Sequence, residues 1–410
     1  MKKIILSAIS FIFFSSLVFA ELADPHRYFE IGVGAEAGIS NNYFGLTEVL
    51  VEELVLDLQK ISREMPSDGF TLDYGVDFEH YFALDINKNF RFKFFLGLDG
   101  TGYANVSHSL FDLLGTGLAI GETKDIKLSI YGDLFLETGF SLKTDIAGFG
   151  VRLQPAYFIP LFHVAETSAK LKYTSSKYGT IRADAEVPID IYSVLDLDDI
   201  KNKTITGPYI QDIISEAVKC GGFDLTAEVE HPLTKTFDLG IFTRVPIVPG
   251  SLKYRAHTLY WGYAEQTNFL GYLNDTESSD MDYGHEDFTY SSANYKLHRP
   301  FILGTEGAWR PFGQWCVIRP KLNLAVRNPY RKSYQVFGEY ALSADFRFLK
   351  VICFHFATRY ENLVFKQVMG FGLNFRVFEF ETKVGLRGSD FANSFGMSGA
   401  TVQLGMKFGF

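Results

Sequence analysis

The sequence predicts an all-β fold: a single transmembrane antiparallel β-barrel of about 14 strands with an N-terminal helical hatch or plug. Three observations point there. The chain ends in a strand whose side chains alternate without a slip: Ala400, Val402, Leu404, Met406, Phe408 and Phe410 on one face, Thr401, Gln403, Gly405, Lys407 and Gly409 on the other. Amphipathic segments of the same kind recur along the whole chain. After the N-terminal leader there is no apolar run long enough for a membrane helix, and a membrane protein without spanning helices must close its sheet to satisfy every backbone polar group.

The leader comes first. Lys2 and Lys3 precede an apolar stretch from Ile4 to Phe19, and Val18-Phe19-Ala20 has the small-residue cleavage pattern. Residues 1–20 therefore read as a secretory signal peptide. No cysteine follows Ala20 directly, so the expectation is an exported chain without a lipid anchor. Residues 21–66 read as the hatch and 67–410 as the barrel.

Within 21–66 one stretch leaves the β pattern. From Leu46 to Met65, Leu50, Leu54, Leu58 and Ile61 recur at helical spacing, with Glu48, Glu52, Glu53 and Lys60 between them. Thr47 can cap the start, and Pro66 with Gly69 closes the end. The helix is either a plug inside the barrel or a periplasmic or surface helix between the first two strands. Residues 28–38 belong either to the plug or to a first strand.

The strands follow. Ile126, Leu128, Ile130, Leu134 and Leu136 oppose Lys127, Ser129, Asp133 and Glu137; Phe223, Leu225, Ala227 and Val229 oppose Asp224, Thr226, Glu228 and Glu230. The pattern returns in 317–326, 340–347 and 378–387. Alternation alone does not tell a barrel from a soluble sandwich. Number and length do, because these segments are longer than globular strands and no linker separates them into domains. Connections are of two kinds: very short ones near Leu349 and Arg376, and long acidic ones at 194–221 and 272–287. The acidic runs lack the Gly-centred spacing of a calcium loop, so no metal site is expected.

Composition narrows the function. Aromatics make up 16% of the chain, with 40 Phe and 22 Tyr, which suits a lipid-facing surface with interfacial girdles. A net charge of −9, falling to −11 without Lys2 and Lys3, argues against a nucleic-acid partner. The three cysteines are odd in number and far apart, and no disulfide framework follows from them. The nine histidines are scattered, and no Gly-x-Ser-x-Gly elbow occurs. Neither an enzyme nor a cofactor is expected.

Two stretches are candidates for the functional site. Gly97, Gly100 and Gly102 can bend a strand and open the wall sideways, or simply mark a barrel corner or a turn at Asp99-Gly100. The run Phe158-Ile159-Pro160-Leu161-Phe162 breaks alternation, so Phe158 and Phe162 line either an apolar site or a wholly buried strand end. Leu50, Leu54 and Leu58 join them as candidate ligand contacts if the helix is a plug.

The hatch-like stretch from Glu21 to about Pro66, the strand number and the terminal Phe410 together resemble the FadL-like outer-membrane transporters, in particular the divergent spirochaete type. The likeness spans the mature chain as architecture. The Asn-Pro-Ala signature that typical members carry near the start of the hatch is absent, Ala23-Asp24-Pro25 being the nearest N-terminal element and a weak likeness, so no pocket residue is carried over. The resemblance implies an outer-membrane location, a hydrophobic small-molecule ligand such as a long-chain fatty acid, and passive uptake. Phe410 would be the signal read by the barrel-assembly machinery, and the barrel would sit in the bilayer as a monomer. A general diffusion porin and a surface adhesin are the competing readings.

Overall fold

The computed structural model describes residues 27–45, 57–87, 89–117, 123–175, 180–202, 207–266, 279–331, 334–349, 351–361, 364–388, 391–395 and 398–410. The signal-peptide stretch, Leu50 and Leu54 lie outside them.

Strands β1 (Phe29–Asn41), β2 (Phe70–Asn87), β3 (Phe90–Val106), β4 (Thr123–Ile146), β5 (Phe149–Ser175) and β6 (Ile181–Ser193) come first. Helix α1 (Leu58–Glu64) lies between β1 and β2, and α2 (His108–Thr116) between β3 and β4. Helices α3 (Leu197–Asn202) and α4 (Gly207–Val218) separate β6 from β7 (Gly222–Thr234). Then follow β8 (Phe237–Val248), β9 (Gly250–Gln266), β10 (Ser279–His285), β11 (Thr289–Leu297), β12 (Phe301–Trp309), β13 (Pro311–Gln314) and β14 (Cys316–Arg327). The wall ends with β15 (Gln335–Phe348), β16 (Ile352–Glu361), β17 (Val364–Asn374), β18 (Phe378–Gly388) and β19 (Gly399–Gly409).

Every pairing is antiparallel, and the sheet closes on itself. β1 pairs with β19 from Glu30↔Gly409 to Ser40↔Gly399. Phe29 N donates to Phe410 O at 3.2 Å, Phe410 N donates back to Phe29 O at 3.1 Å, and the two rings stack at 5.3 Å. Residues 29–41 are therefore wall, not hatch. The buried ion pairs of Arg27 reinforce the seam: it reaches Glu379 at 2.7 Å and Glu30 at 3.2 Å, and its Nε donates to Arg376 O. Tyr81 and Arg91 donate to the other Glu30 oxygen, at 2.6 and 3.0 Å.

Burial shows which face is inside. On β19, Thr401, Gln403 and Lys407 are buried, whereas Val402, Met406 and Phe408 are 43–49% exposed. On β18, Glu379, Lys383 and Arg387 are buried and Val384 is exposed. The polar face points inward and the apolar face outward, the reverse of a soluble sandwich. Each large apolar side chain left in water would cost about 1.5–3 kcal/mol. Over a band that includes Ile31, Leu72, Phe94, Phe140, Val384 and Met406, the sum would exceed the ~5–15 kcal/mol net stability of a folded domain. Lipid is the solvent that removes this cost.

The two ends of the barrel differ. Tight turns join β2–β3, β4–β5, β7–β8, β15–β16 and β17–β18 at one end, and the left-handed residues Ala147, Gly148, Leu349 and Arg376 sit in three of them. Ala147 and Gly148, both at positive φ, give the β4–β5 hairpin the twist of its strands. The connections holding α1 and α2 lie at the other end.

Two expectations are corrected. The strand number of about 14 is too low: among the described residues one sheet contains 18 hydrogen-bonded strands. The excess arises because strands are interrupted partway up the wall. β6 and β7 are successive pieces separated by α3 and α4, β8 runs into β9 at Pro249, and β10, β11 and β12 follow one another down the far side of β8 and β9. The acidic stretch at 272–287 is also not all loop, since 279–285 is β10.

The part of the expected helix that lies within the described residues is α1, capped by Asp57, whose side chain accepts from Lys60 N at 3.0 Å. It packs on α2 between the ends of β1–β2 and β3–β4: Ser62 donates to Asp112 at 3.1 Å, and Ile61 and Met65 are buried. This is the arrangement of a helix between the first two strands. Asp112 also meets Lys124 at 3.2 Å and His108 at 2.8 Å. Burial acts to raise the Asp112 carboxyl, but the hydrogen bonds from Lys124 and Ser62 and the charge of His108 outweigh it and hold the carboxyl below its ordinary value.

The β1–β19 seam and the Ser62–Asp112 latch between α1 and α2 each give a prediction. Replacing Glu379 with Ala removes one of the two buried carboxylates that Arg27 meets, leaving Glu30, and is expected to cost about 1–3 kcal/mol, read as a fall in unfolding temperature, whereas Val384→Ala on the outer face costs less. The depressed Asp112 carboxyl stabilises the latch fully above the ordinary carboxylate pKa, and that contribution is lost as pH falls through the lowered value. The protection of the α1 amides, taken relative to their intrinsic exchange rates, should therefore fall in acid, and Asp112→Asn should remove that dependence.

Candidate functional site

Strand alternation sends one residue in two into the barrel, so the sequence sets which charges meet there. β2 and β3 place Glu79 beside Lys93, at 2.6 Å. β15 and β16 bring Asp345 to His355, at 2.6 Å, and Arg319 joins the same carboxylate from β14. Arg387 on β18 reaches Asp73 on β2 at 2.6 Å. Taking charges out of water costs several kcal/mol each unless they are paired, and these inner side chains come in opposite-sign sets.

The most concentrated set surrounds Arg299, in the three-residue link between β11 and β12. Its guanidinium is bonded to Glu137 on β4, lies 3.3 Å from Asp99 on β3 and 3.6 Å from Asp224 on β7. Arg299 is 4% exposed and Asp224 fully buried. Phe135 and Phe158 lie 5.9 and 6.0 Å from the guanidinium, a cation–π environment that suits a desolvated arginine. One side chain thus ties the far wall of β12 to β3, β4 and β7.

Beside Arg299 the wall changes its pairing. β5 pairs with β7 up to Phe158↔Gly222 and with β6 from Phe162↔Ser193 onward. At this changeover lies the largest apolar cluster of the described residues: Phe135, Phe158, Ile159, Val194, Leu252 and Leu297, with Ala217 and Cys220. Glycines make room for it, since a Cβ on Gly222 would lie 2.4 Å from the Phe158 ring and one on Gly250 2.5 Å from Pro160. α4 is fastened here: Tyr157 donates to Val218 O, and Gly221 N donates to Tyr157 Oη at 3.1 Å.

The cluster continues into an aromatic stack. Tyr192 and Tyr295 pack against it and stack on each other at 4.4 Å. Tyr295 stacks on His163 at 4.8 Å and is hydrogen-bonded to its Nε2 at 2.9 Å. His163 Nδ1 faces Asp133 at 2.6 Å, and Tyr131 donates to the same carboxylate. Arg331 donates to Tyr295 Oη and lies 4.2 Å over its ring, while Arg327 sits 5.0 Å over Tyr131. An apolar and aromatic column therefore runs from the changeover of β5 past His163.

The residues singled out from sequence are scattered by the structure. Phe158 is at the centre of the cluster, and Phe162 is four residues along β5, opposite Ser193 and Leu134. Leu58 is 40% exposed on α1, at the end of the barrel that carries α1 and α2, so it does not join them. β3 runs through Gly97, Gly100 and Gly102 in unbroken register with both β2 and β4. The expected kink there is absent. These glycines instead accommodate neighbours: a Cβ on Gly102 would meet the Tyr74 ring at 2.5 Å, and one on Gly100 would meet Leu134 and Val76 at 2.8 Å. Arg299, His163 and Tyr295 were not singled out, because nothing in their spacing joins them. Glu137, Asp133 and Asp224 were visible only as members of a polar face.

No protein-family model and no curated protein matches the sequence. Among solved structures, the barrel is similar to FadL-type channels. The Ralstonia pickettii toluene transporter TbuX overlaps at a TM-score of 0.47 with 6% identity, covering 94% of this chain and 90% of that one. The Pseudomonas putida toluene transporter TodX overlaps at 0.44 with 9% identity, over 96% and 93% of the two chains. A Pseudomonas aeruginosa FadL homologue overlaps at 0.43 with 10% identity, over 94% and 90%. At these values the reading of the site rests on this chain's own residues.

Replacing Arg299 with Ala leaves Asp224 and Glu137 without their directly paired cation, with Arg244 as a neighbouring positive charge. The expected loss is about 3–5 kcal/mol of stability, and adding Asp224→Asn to that variant should restore part of it. Chemical unfolding of the three proteins measures both steps.

Proposed function

We propose that the protein is a FadL-like outer-membrane channel for passive uptake of small hydrophobic molecules, with long-chain fatty acids among the candidate cargoes. One observation carries this reading. The apolar cluster around Phe158 and Leu252 lies where β5 changes partner, and it continues into the Tyr192–Tyr295–His163 stack. A hydrophobic solute needs apolar lining and a way through the wall; the cluster supports the first, and the change of partner along β5 supports the second. The outward apolar band supports a membrane location. Recognition of the β19 end at Phe410 by the assembly machinery, and a monomeric state, are part of the same proposal.

A second reading, a diffusion channel for small hydrophilic solutes, draws on the charged inner face of β14–β19, with Arg319, Lys383, Arg387 and Lys407. Uptake and conductance separate the two. In proteoliposomes the proposal expects entry of labelled toluene or oleate with little steady ion conductance. Leu252→Glu, which puts a charge into the apolar cluster, should lower that entry by about tenfold, a 1.4 kcal/mol effect on partitioning. Large steady conductance with hydrophobic entry no faster than in protein-free vesicles would favour the hydrophilic channel.

A further inference from the structure

The sheet is closed at the seam but, among the described residues, leaves an edge elsewhere with ladder partners on one side only. β4 and β5 overhang β3, whose last pair is Val106↔Leu128. β6 builds on the overhang of β5 through Lys170↔Glu186 to Ser175↔Ile181, β9 pairs with β6, and β10 pairs with β9 from Ser279↔Gln266 to His285↔Tyr260. β11 continues along the same side of β9. Among the described residues, β10 and β11 have ladder partners on that side only. Near the lower end of β11, Arg331 takes one outward carbonyl, that of Lys296, at 2.5 Å.

Proteins blunt such edges with charged side chains, lysine above all, and with proline or bulges. From 279 to 290 this edge carries no lysine, arginine or proline, and its bulge lies further on, between Ser292 and Tyr295. Its charges are all acidic: Asp280, Asp282, Glu286 and Asp287. Met281 and Tyr283 stand 66% and 77% exposed on it. An unpaired strand offers a partner main-chain hydrogen bonds, and the side chains beside it set which partner.

We propose that the free edge of β10 and the start of β11 is a docking site for a cationic, extended segment of another protein, which adds to the sheet as a further strand. Charge selects the occupant. A second copy of this chain would bring the same four carboxylates against these, whereas a lysine-rich strand would meet them with opposite sign. Met281 and Tyr283 supply apolar contacts for alternate side chains of the guest. The inference stands apart from the identity of the cargo, since the edge lies on the overhang rather than at the apolar cluster.

The test uses the full chain in detergent and short synthetic peptides of alternating Lys and Val, of alternating Glu and Val, and of alternating Lys and Pro. The Lys–Val peptide should bind, more weakly as salt rises, and the other two at least about tenfold more weakly. Neutralising the edge with Asp280→Asn, Asp282→Asn, Glu286→Gln and Asp287→Asn should weaken Lys–Val binding by a similar factor while leaving the unfolding temperature unchanged. If that variant fails to fold, the three peptides on the native protein decide the matter alone. No binding of the Lys–Val peptide, equal binding of the Glu–Val or Lys–Pro peptide, or an undiminished affinity in a folded neutralised variant would overturn the proposal. Self-association of the chain in place of peptide binding would overturn the choice of occupant.

Discussion

The ladder between β1 and β19 is the interaction on which the rest of the structure depends. Once Glu30 to Ser40 is paired with Gly409 to Gly399, the sheet has an inside and an outside, and alternation assigns each side chain to one of them. The apolar half faces outward, where only hydrocarbon stabilises it, and the charged half is enclosed, where each charge needs a partner. Arg27, Glu30, Glu379, Tyr81 and Arg91 fulfil that need at the seam itself. The same electrostatic demand explains why Arg299 draws carboxylates from three separate strands.

The interruptions of the wall arise where that regularity is given up. Between Phe158 and Phe162, β5 exchanges one partner strand for another, and apolar side chains occupy the place that charged ones hold elsewhere in the interior. The extra strands of the sheet come from this changeover. So do the insertion carrying α3 and α4, the overhang that supports β10, and the column of aromatics reaching His163. One local departure from a plain barrel thus produces both the candidate passage and the free edge.

Period-two alternation is a local property, and so the strands at 126–137, 223–230, 317–326, 340–347 and 378–387 were legible from sequence, as were the tight turns near Leu349 and Arg376. The break in alternation at Phe158–Phe162 was legible too, and it marks the changeover of β5. Other features depend on contacts between residues far apart in the chain. Arg299 meets Glu137 across 162 positions, and no spacing rule carries that information. The glycines at 97–102 misled for a related reason: their small size serves Tyr74 and Leu134 on the neighbouring strands, and from one strand alone this cannot be told from a bend. Residues 28–38 left strand and plug open because their partner, β19, lies at the other end of the chain.

The central claim is that the charged face is enclosed and the apolar face meets lipid. Spin labels placed one at a time at Val402, Gln403, Met406 and Lys407, in the protein reconstituted into bilayers, test it through accessibility to oxygen and to a water-soluble nickel complex. The account predicts oxygen-rich, nickel-poor environments at Val402 and Met406 and the opposite preference at Gln403 and Lys407. Nickel access at Val402 and Met406 equal to that of a soluble strand, or lipid exposure at Gln403 and Lys407, would contradict it.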